Sequence, residues 1–273
     1  MSVRVISFGG GQQSTALLVL AAQGRIDYRT FLFANVGNDS EHPATLRYIA
    51  EHAAPYAAEH GLELVELQRV GVVGARAGEG RTLLADLLRP ESRSIPIPVH
   101  LAGGGPGTRQ CTDRYKIAVI ARETLRRGAT EDAPATVGIG ISLDEIHRAN
   151  NRRRTPHEWV EYPLLDLGLR RTDCQRIILD VGLPVPPKSA CWFCPMKRPA
   201  EWHQLRREQP QLFGLACELE TTLVERRAAL GRDPAYLTGL GRPLASAIPD
   251  GVDLLPLADD ESEGSCDSGY CMT

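Results

Sequence analysis

The sequence predicts an α/β fold: a parallel, twisted sheet with helices on both faces, then a C-terminal helical segment carrying cysteines and a loose tail. Three observations predict it. Short runs of almost wholly apolar residues ("VRVISF", "RTFLFANV", "ATVGIGI") have the length and composition of strands buried on both faces. Between them lie segments with apolar residues at helical spacing, closed by glycine. The two kinds alternate along the chain, as a parallel sheet requires, because each parallel pair needs a long crossover between its strands.

In order, "VRVISF" is the first strand and "STALLVLAAQGR" the helix after it, closed by Gly24. "RTFLFANV" is the second strand. "HPATLRYIAEHAAPYAAEHG" reads as one long helix with a glycine stop, and "LELVELQRV" as the third strand. Residues 71–109 break the rhythm with glycine, proline and arginine around one short helix, and are expected to form a long connection or a lid. From Cys111, "CTDRYKIAVIARETLRRG" resumes as a helix and "ATVGIGI" as a strand. After "YPLLDLG" a helix begins near Arg171 and stops at "GLPVPP". A cysteine pair, helix to about residue 230 and an acidic tail complete the chain. The expected division is a domain over 1–200 and an extension over 201–273, without internal repeats.

At 273 residues and 42% hydrophobic, the chain can bury a full core. A net charge of −3 excludes a strongly basic nucleic-acid footprint but leaves local patches, of which Arg152, Arg153 and Arg154 form one. No apolar run reaches about 18 residues and no leader opens the chain, so a cytoplasmic protein with no membrane partner is expected. Seven cysteines in such a protein are free, metal-binding or redox-active rather than disulfide-bonded.

The stretch "VISFGGGQQSTALLVL" holds the most specific local signal. A strand, a glycine loop and a helix aim backbone N–H groups at one point, at the positive end of a helix dipole, which suits a phosphate. Glycine lets the loop curl with no side chain between backbone and anion. Ser7, Ser14 and Thr15 add hydroxyl donors. The Walker pattern fails for want of a lysine after the last glycine, and the dinucleotide pattern fails because the glycines are contiguous.

"GGGQQST" resembles the PP-loop, the SGGxDS pyrophosphate-binding signature of the ATP pyrophosphatase superfamily. Gly9 stands where that signature has its first serine and Gln13 where it has its aspartate; Gly10, Gly11, Ser14 and Thr15 complete the match. Further segments resemble the phosphoadenylyl-sulfate (PAPS) reductase-like branch, in that family's order. "FANVGNDSEHPATLRYI" is similar to its "DTG…PET" strand end, with Asn35 for the aspartate. "CTDRYKIAVI" is similar to its cysteine-led helix, with Cys111 kept and Thr112 in place of a second cysteine. "GIGISLDEIHRANN" is similar to its strand and substrate-side loop, and "YPLLDLGLRRTDCQRIILDVGLPVPP" to its later helix unit. The resemblance spans roughly residues 3–200. It implies an adenine nucleotide alpha-hydrolase-like, Rossmann-like fold and a nucleotide site lined by Asn35, Gly37 and Gly138. It also implies that Arg148 faces anionic oxygens, where a guanidinium fork is well suited. The plain reading of Asp144 and Glu145 is solvated loop charge, and of His147 an ordinary loop histidine.

"SACWFCPMKR" places Cys191 and Cys194 at C-x-x-C spacing, where two sulfurs can converge on one centre. Zinc, an iron–sulfur cluster and a redox dithiol all suit that spacing. The resemblance implies a [4Fe–4S] cluster on Cys111, Cys191 and Cys194, with Zn2+ as the alternative. Cys174 and Cys217 read as small buried hydrophobes. In the tail, Cys266 and Cys271 are candidate reactive thiols, although Glu263 and Asp267 beside them oppose thiolate formation.

Together these imply an ATP- and Mg2+-using enzyme of sulfur metabolism. It would adenylate an acceptor, release pyrophosphate and support sulfur transfer, as in tRNA thiolation or DNA phosphorothioation. A nucleic acid acceptor, a sulfur donor such as a cysteine desulfurase and a homo-oligomeric state follow as expected partners. Two alternatives stand beside it: a reductase of adenylyl sulfate or its 3′-phosphate using Cys266 or Cys271, and a nucleotide- or metal-binding subunit without catalysis.

Overall fold

A computed structural model describes residues 2–71, 78–90, 92–102, 106–149 and 155–251. Arg152, Arg153, Arg154, Cys266 and Cys271 lie outside the described residues. The chain forms two compact units. One holds the described residues of Met1–Arg81 and Thr112–Ala190, the other those of Thr82–Cys111 and Cys191–Ser265.

In chain order, β1 (Arg4–Phe8) leads to α1 (Gln12–Ala22) and β2 (Thr30–Asn35). Next, α2 (Pro43–Tyr48) runs through a π-helical turn at Ile49–Ala53 into α3 (Ala54–Glu59), and β3 (Glu63–Gln68) follows. The expected single helix is thus one rod with a widened turn. Pro55 lies just beyond that turn, and a proline inside a helix removes one hydrogen bond and crowds the carbonyl four residues back. α4 (Leu83–Leu88) and β4 (His100–Leu101) belong to the second unit. The first unit resumes with π-helical Thr112–Ile117, α5 (Ala118–Arg126) and β5 (Ala135–Ile139). A 3-10 segment at Leu143–Arg148, β6 (Glu158–Glu161), α6 (Pro163–Asp166) and α7 (Arg171–Asp180) finish it. α8 (Pro199–Glu208), α9 (Pro210–Ala229), β7 (Ala235–Tyr236) and α10 (Leu244–Ala247) complete the second unit.

The first unit is an α/β, Rossmann-like arrangement. Its five strands are all parallel, in the order β3-β2-β1-β5-β6. Period-2 alternation sends neighbouring residues to opposite faces. On one face Ile6, Phe8, Phe31 and Phe33 pack with α1, with Ile49 and Ala53 of the π turn and with Cys174 and Ile178 of α7. On the other, Val5, Leu32, Ala34, Val137 and Ile139 pack with Ile117, Val119 and Ile120. Helices therefore cover both faces. α1 is buried from Gln13 to Ala21, so it is apolar on every side rather than amphipathic. β6, "EWVE", is an edge strand that its charges hide in the sequence: Glu158 is buried and accepts from Thr124 Oγ1 at 3.2 Å.

The winding reverses between β1 and β5. β2 and β3 lie to one side of β1, β5 and β6 to the other. In open α/β sheets the crevice at such a switch point, outside the carboxyl ends of the strands, is the place for a ligand.

The second unit pairs β4 with β7 antiparallel, His100 opposite Tyr236, and packs α8 and α4 against α9. Glu220 on α9 is buried and its carboxylate accepts from the amides of Leu237 (2.7 Å) and Leu244 (2.5 Å). Part of the 71–109 stretch thus supplies a helix and a strand to this unit, and the units divide at Ala190/Cys191, upstream of the boundary read at 200. Among the described residues no helix is long and apolar enough to cross a membrane.

Candidate functional site

The glycine loop leaves the end of β1 at the switch point. Gly10 has φ +75°, and a Cβ there would stand 3.0 Å from both Thr45 Cγ2 and Ile49 Cδ1, so only glycine fits without strain. Gly11 is the N-cap of α1 and offers no side chain to cap it. The first backbone bond of the helix runs from Thr15 N to Gly11 O at 3.0 Å. Among the described residues, the amides of Gly9, Gly10, Gly11, Gln12, Gln13 and Ser14 donate to no backbone carbonyl. The last four are the N–H groups that every helix leaves without an internal partner. Except at Gln12, which is half-buried, these residues are buried. A buried donor without a partner costs about 1–3 kcal/mol, so an uncapped turn inside the protein favours an anion that satisfies several at once.

Side chains hold this loop from three directions. Ser189 donates its hydroxyl to Gly9 O. Gln12 Oε1 accepts from Arg171 Nε (3.1 Å) and Gln175 Nε2 (3.2 Å) at the start of α7. Gln13 Nε2 donates to Glu145 Oε2 at 3.1 Å, and Glu145 Oε1 is ion-paired with Arg148 Nη1. Gly140, just beyond β5, has no room for a Cβ, which would lie 3.2 Å from both Gln13 Cβ and Ser14 N.

The expected site residues divide accordingly. Gly9, Gly10, Gly11, Gln13, Ser14 and Thr15 form the loop and first turn as read. Ser14 is fully buried, but its hydroxyl donates to Gly11 O at 3.0 Å. Thr15 Oγ1 is buried, with the Tyr48 hydroxyl beside it. Ser7 shares the face of Val5 by strand alternation, not the face that α1 covers. Asn35 is buried with its amide committed to the strand end: Nδ2 donates to Asn38 Oδ1 (2.7 Å) and Glu66 Oε1 (2.8 Å), and Oδ1 accepts from Gly37 N (2.8 Å). Asn35 therefore shapes the turn that Gly37 enters. The absent Cβ of Gly138 points at Ile6 Cδ1, 2.4 Å away, and at Tyr28, so glycine there serves strand packing.

Glu145 is no solvated loop charge; it is buried at 5% exposure between Gln13 and Arg148. Asp144 Oδ2 accepts from Arg171 N at 2.6 Å, which ties the loop after β5 to the start of α7. His147 is exposed. Reading by sequence also passed over Glu41, which is 1% exposed with neither carboxylate oxygen hydrogen-bonded. Burial holds its pKa above the ordinary carboxylate range, against the opposing pulls of Lys116 and of the Val36 amide. Thr45 Oγ1 and Gln13 Oε1 are likewise buried without partners.

In the second unit Cys111, Cys191 and Cys194 are not disulfide-bonded and are half-buried. Cys111 N donates to Pro96 O at 2.7 Å, and Cys194 N to Cys191 O at 3.1 Å, closing the C-x-x-C turn. Among the described residues no three His, Cys, Asp or Glu side chains gather as a metal ion would need. As they stand, these thiols are not a ready three-ligand site. Cys174 is fully buried and its thiol is pushed up to about 12, chiefly by burial and then by Asp173 and Asp144. Cys217 is also raised by burial.

No protein-family model, no curated protein and no solved structure matches the chain.

Proposed function

We propose that the first unit binds the phosphates of ATP on the glycine loop and that the protein is an adenylating enzyme of sulfur metabolism, with an adenine nucleotide alpha-hydrolase-like fold. One observation carries the reading: the uncapped, buried first turn of α1 keeps its amides clear of neighbouring carbonyls at the switch point of a parallel sheet. The order of the PAPS reductase-like segments in the sequence supports it.

In the reaction an acceptor oxygen attacks the α-phosphorus, the bond to the β-phosphate oxygen breaks and pyrophosphate leaves. A sulfur nucleophile then displaces AMP from the activated acceptor. Amides fixed around the β- and γ-phosphates stabilise the charge that builds on the leaving pyrophosphate, without reorganising as it forms. Gln12 and Gln13 hold the loop in that shape through α7 and Glu145. Mg2+, bound with ATP, would neutralise phosphate charge. A nucleic acid is the proposed acceptor. A [4Fe–4S] cluster on Cys111, Cys191 and Cys194 would require these thiols to move together from where they stand; iron, sulfide and zinc analysis of anaerobically prepared protein tests it separately.

Radiolabelled ATP, incubated anaerobically with the protein, sulfide and tRNA or duplex DNA, tests the activity. AMP and pyrophosphate in equal amounts are expected, and pyrophosphate with adenylated acceptor when sulfide is left out. ATP binding without cleavage under every acceptor would leave a non-catalytic subunit, and no ATP binding at all would end the nucleotide reading.

A further inference from the structure

We propose that Glu41 is the carboxylate that holds a divalent cation beside the glycine loop, a role the uncharged Gln13 cannot fill; this rests on the reading of that loop as a phosphate site.

Position comes first. The chain on both sides of Glu41 is fastened to the loop or to its support. Glu41 N donates to Gly37 O at 2.9 Å, at the end of β2. His42 N donates to Ala190 O at 3.2 Å, and the adjacent Ser189 holds Gly9 O. Thr45, one helical turn further on, stands 3.0 Å from where a Cβ on Gly10 would be.

Charge comes second. A carboxyl at 1% exposure with neither oxygen in a full hydrogen bond is hard to ionise, and burial raises its pKa for that reason. It takes on charge readily only where a cation offsets it. Lys116 and the Val36 amide draw it toward the ionised form, and burial outweighs both. A polyphosphate on the same loop would add like charge and make matters worse. A divalent cation between the two converts that repulsion into attraction from both sides.

Ligand chemistry comes third. Small, hard divalent cations take oxygen donors, commonly one or two carboxylates together with substrate phosphates and water. Glu41 offers a carboxyl with neither oxygen in a full hydrogen bond. In the same part of the unit Thr45 Oγ1 and Gln13 Oε1 are buried without partners, so oxygen is the element left over around this loop.

Mn2+ serves as the probe, its free concentration read by electron paramagnetic resonance in titrations of the full chain, with and without inorganic pyrophosphate. Wild type is expected to bind one Mn2+, more tightly with pyrophosphate present. Glu41→Gln is expected to weaken Mn2+ at least tenfold, and to melt about where wild type does without metal, because the amide is close in shape to the carboxyl. Glu41→Asp, which keeps the charge on a shorter stem, should recover part of the affinity; that recovery separates ligation from packing and serves if Glu41→Gln folds poorly. Wild type that takes up no Mn2+, or Glu41→Gln within twofold of wild type, overturns the proposal. Pyrophosphate measured alone in chelator separates the two ideas. If it binds neither protein, the phosphate reading fails, while the Mn2+ titration still decides Glu41.

Discussion

Gln13 on the first turn of α1 and Glu145 after β5 are 132 residues apart in sequence, yet Gln13 Nε2 donates to Glu145 Oε2 at 3.1 Å in a buried contact. The other oxygen of that carboxylate takes Arg148. The two strands flanking the switch point are thereby latched at their carboxyl ends by one side chain. Arg148, expected from sequence to face anionic oxygens, already has such a partner within the protein.

Glu145→Ala should cost about 3 kcal/mol, because removing one member of a buried ion pair strands the other. Glu145→Gln keeps an acceptor for Gln13 and should cost less. Urea midpoints check both; equal stability of wild type and Glu145→Ala would show that the latch contributes nothing.

Gly10→Ala meets two penalties at once. A residue with a Cβ at φ +75° loses about 1–2 kcal/mol, and crowding against Thr45 and Ile49 adds a comparable amount. Gly24→Ala has a similar φ of +69° but open space around it, so it should show the first cost alone. Thermal melts of the pair isolate the packing contribution, and pyrophosphate binding should fall only for Gly10→Ala.

Cys174 makes stability depend on alkaline pH. Its folded pKa of about 12 lies above that of an unfolded thiol, so both states hold the proton below about pH 8.5 and its contribution is then complete. Between there and about pH 12 only the unfolded chain releases the proton, and stability falls by about 1.4 kcal/mol per pH unit from this group. Cys174→Ala should flatten that slope in urea midpoints taken at rising pH. Iodoacetamide should leave Cys174 unmodified in the native protein and label it in denaturant.

Trp202 is fully buried on α8, packs edge-on to Phe213 at 6.5 Å and has no partner for its indole N–H. Trp202→Phe removes an unsatisfied donor along with some apolar surface, and the net cost should be about 1 kcal/mol or less. Trp202→Ala leaves a cavity and should cost about 3–5 kcal/mol. A phenylalanine variant as unstable as the alanine one would show that the N–H has a partner in solution.

The legible parts of the fold are those whose burial is complete enough to mark the sequence. β1, β2 and β5 are apolar runs because helices cover both faces of each, and "STALLVLAA" is apolar all round because α1 is enclosed. β6 escaped because a buried glutamate looks like an exposed one until Thr124 is seen beside it. The pairing of His100 with Tyr236 leaves no local trace, since two-residue strands have no period to detect.

By itself, then, the sequence determined a parallel α/β sheet and a glycine loop opening a buried helix, since both follow from local rules: apolar runs, helical spacing and the stereochemistry of glycine. The tertiary structure alone decided what surrounds that loop. Glu145 reads as a solvated loop charge, nothing local marks Glu41 or Ser189 as buried, and only folding brings the three out of water. Desolvation is what makes an ordinary carboxyl reluctant to ionise, and it is a property of the surroundings rather than of the residue.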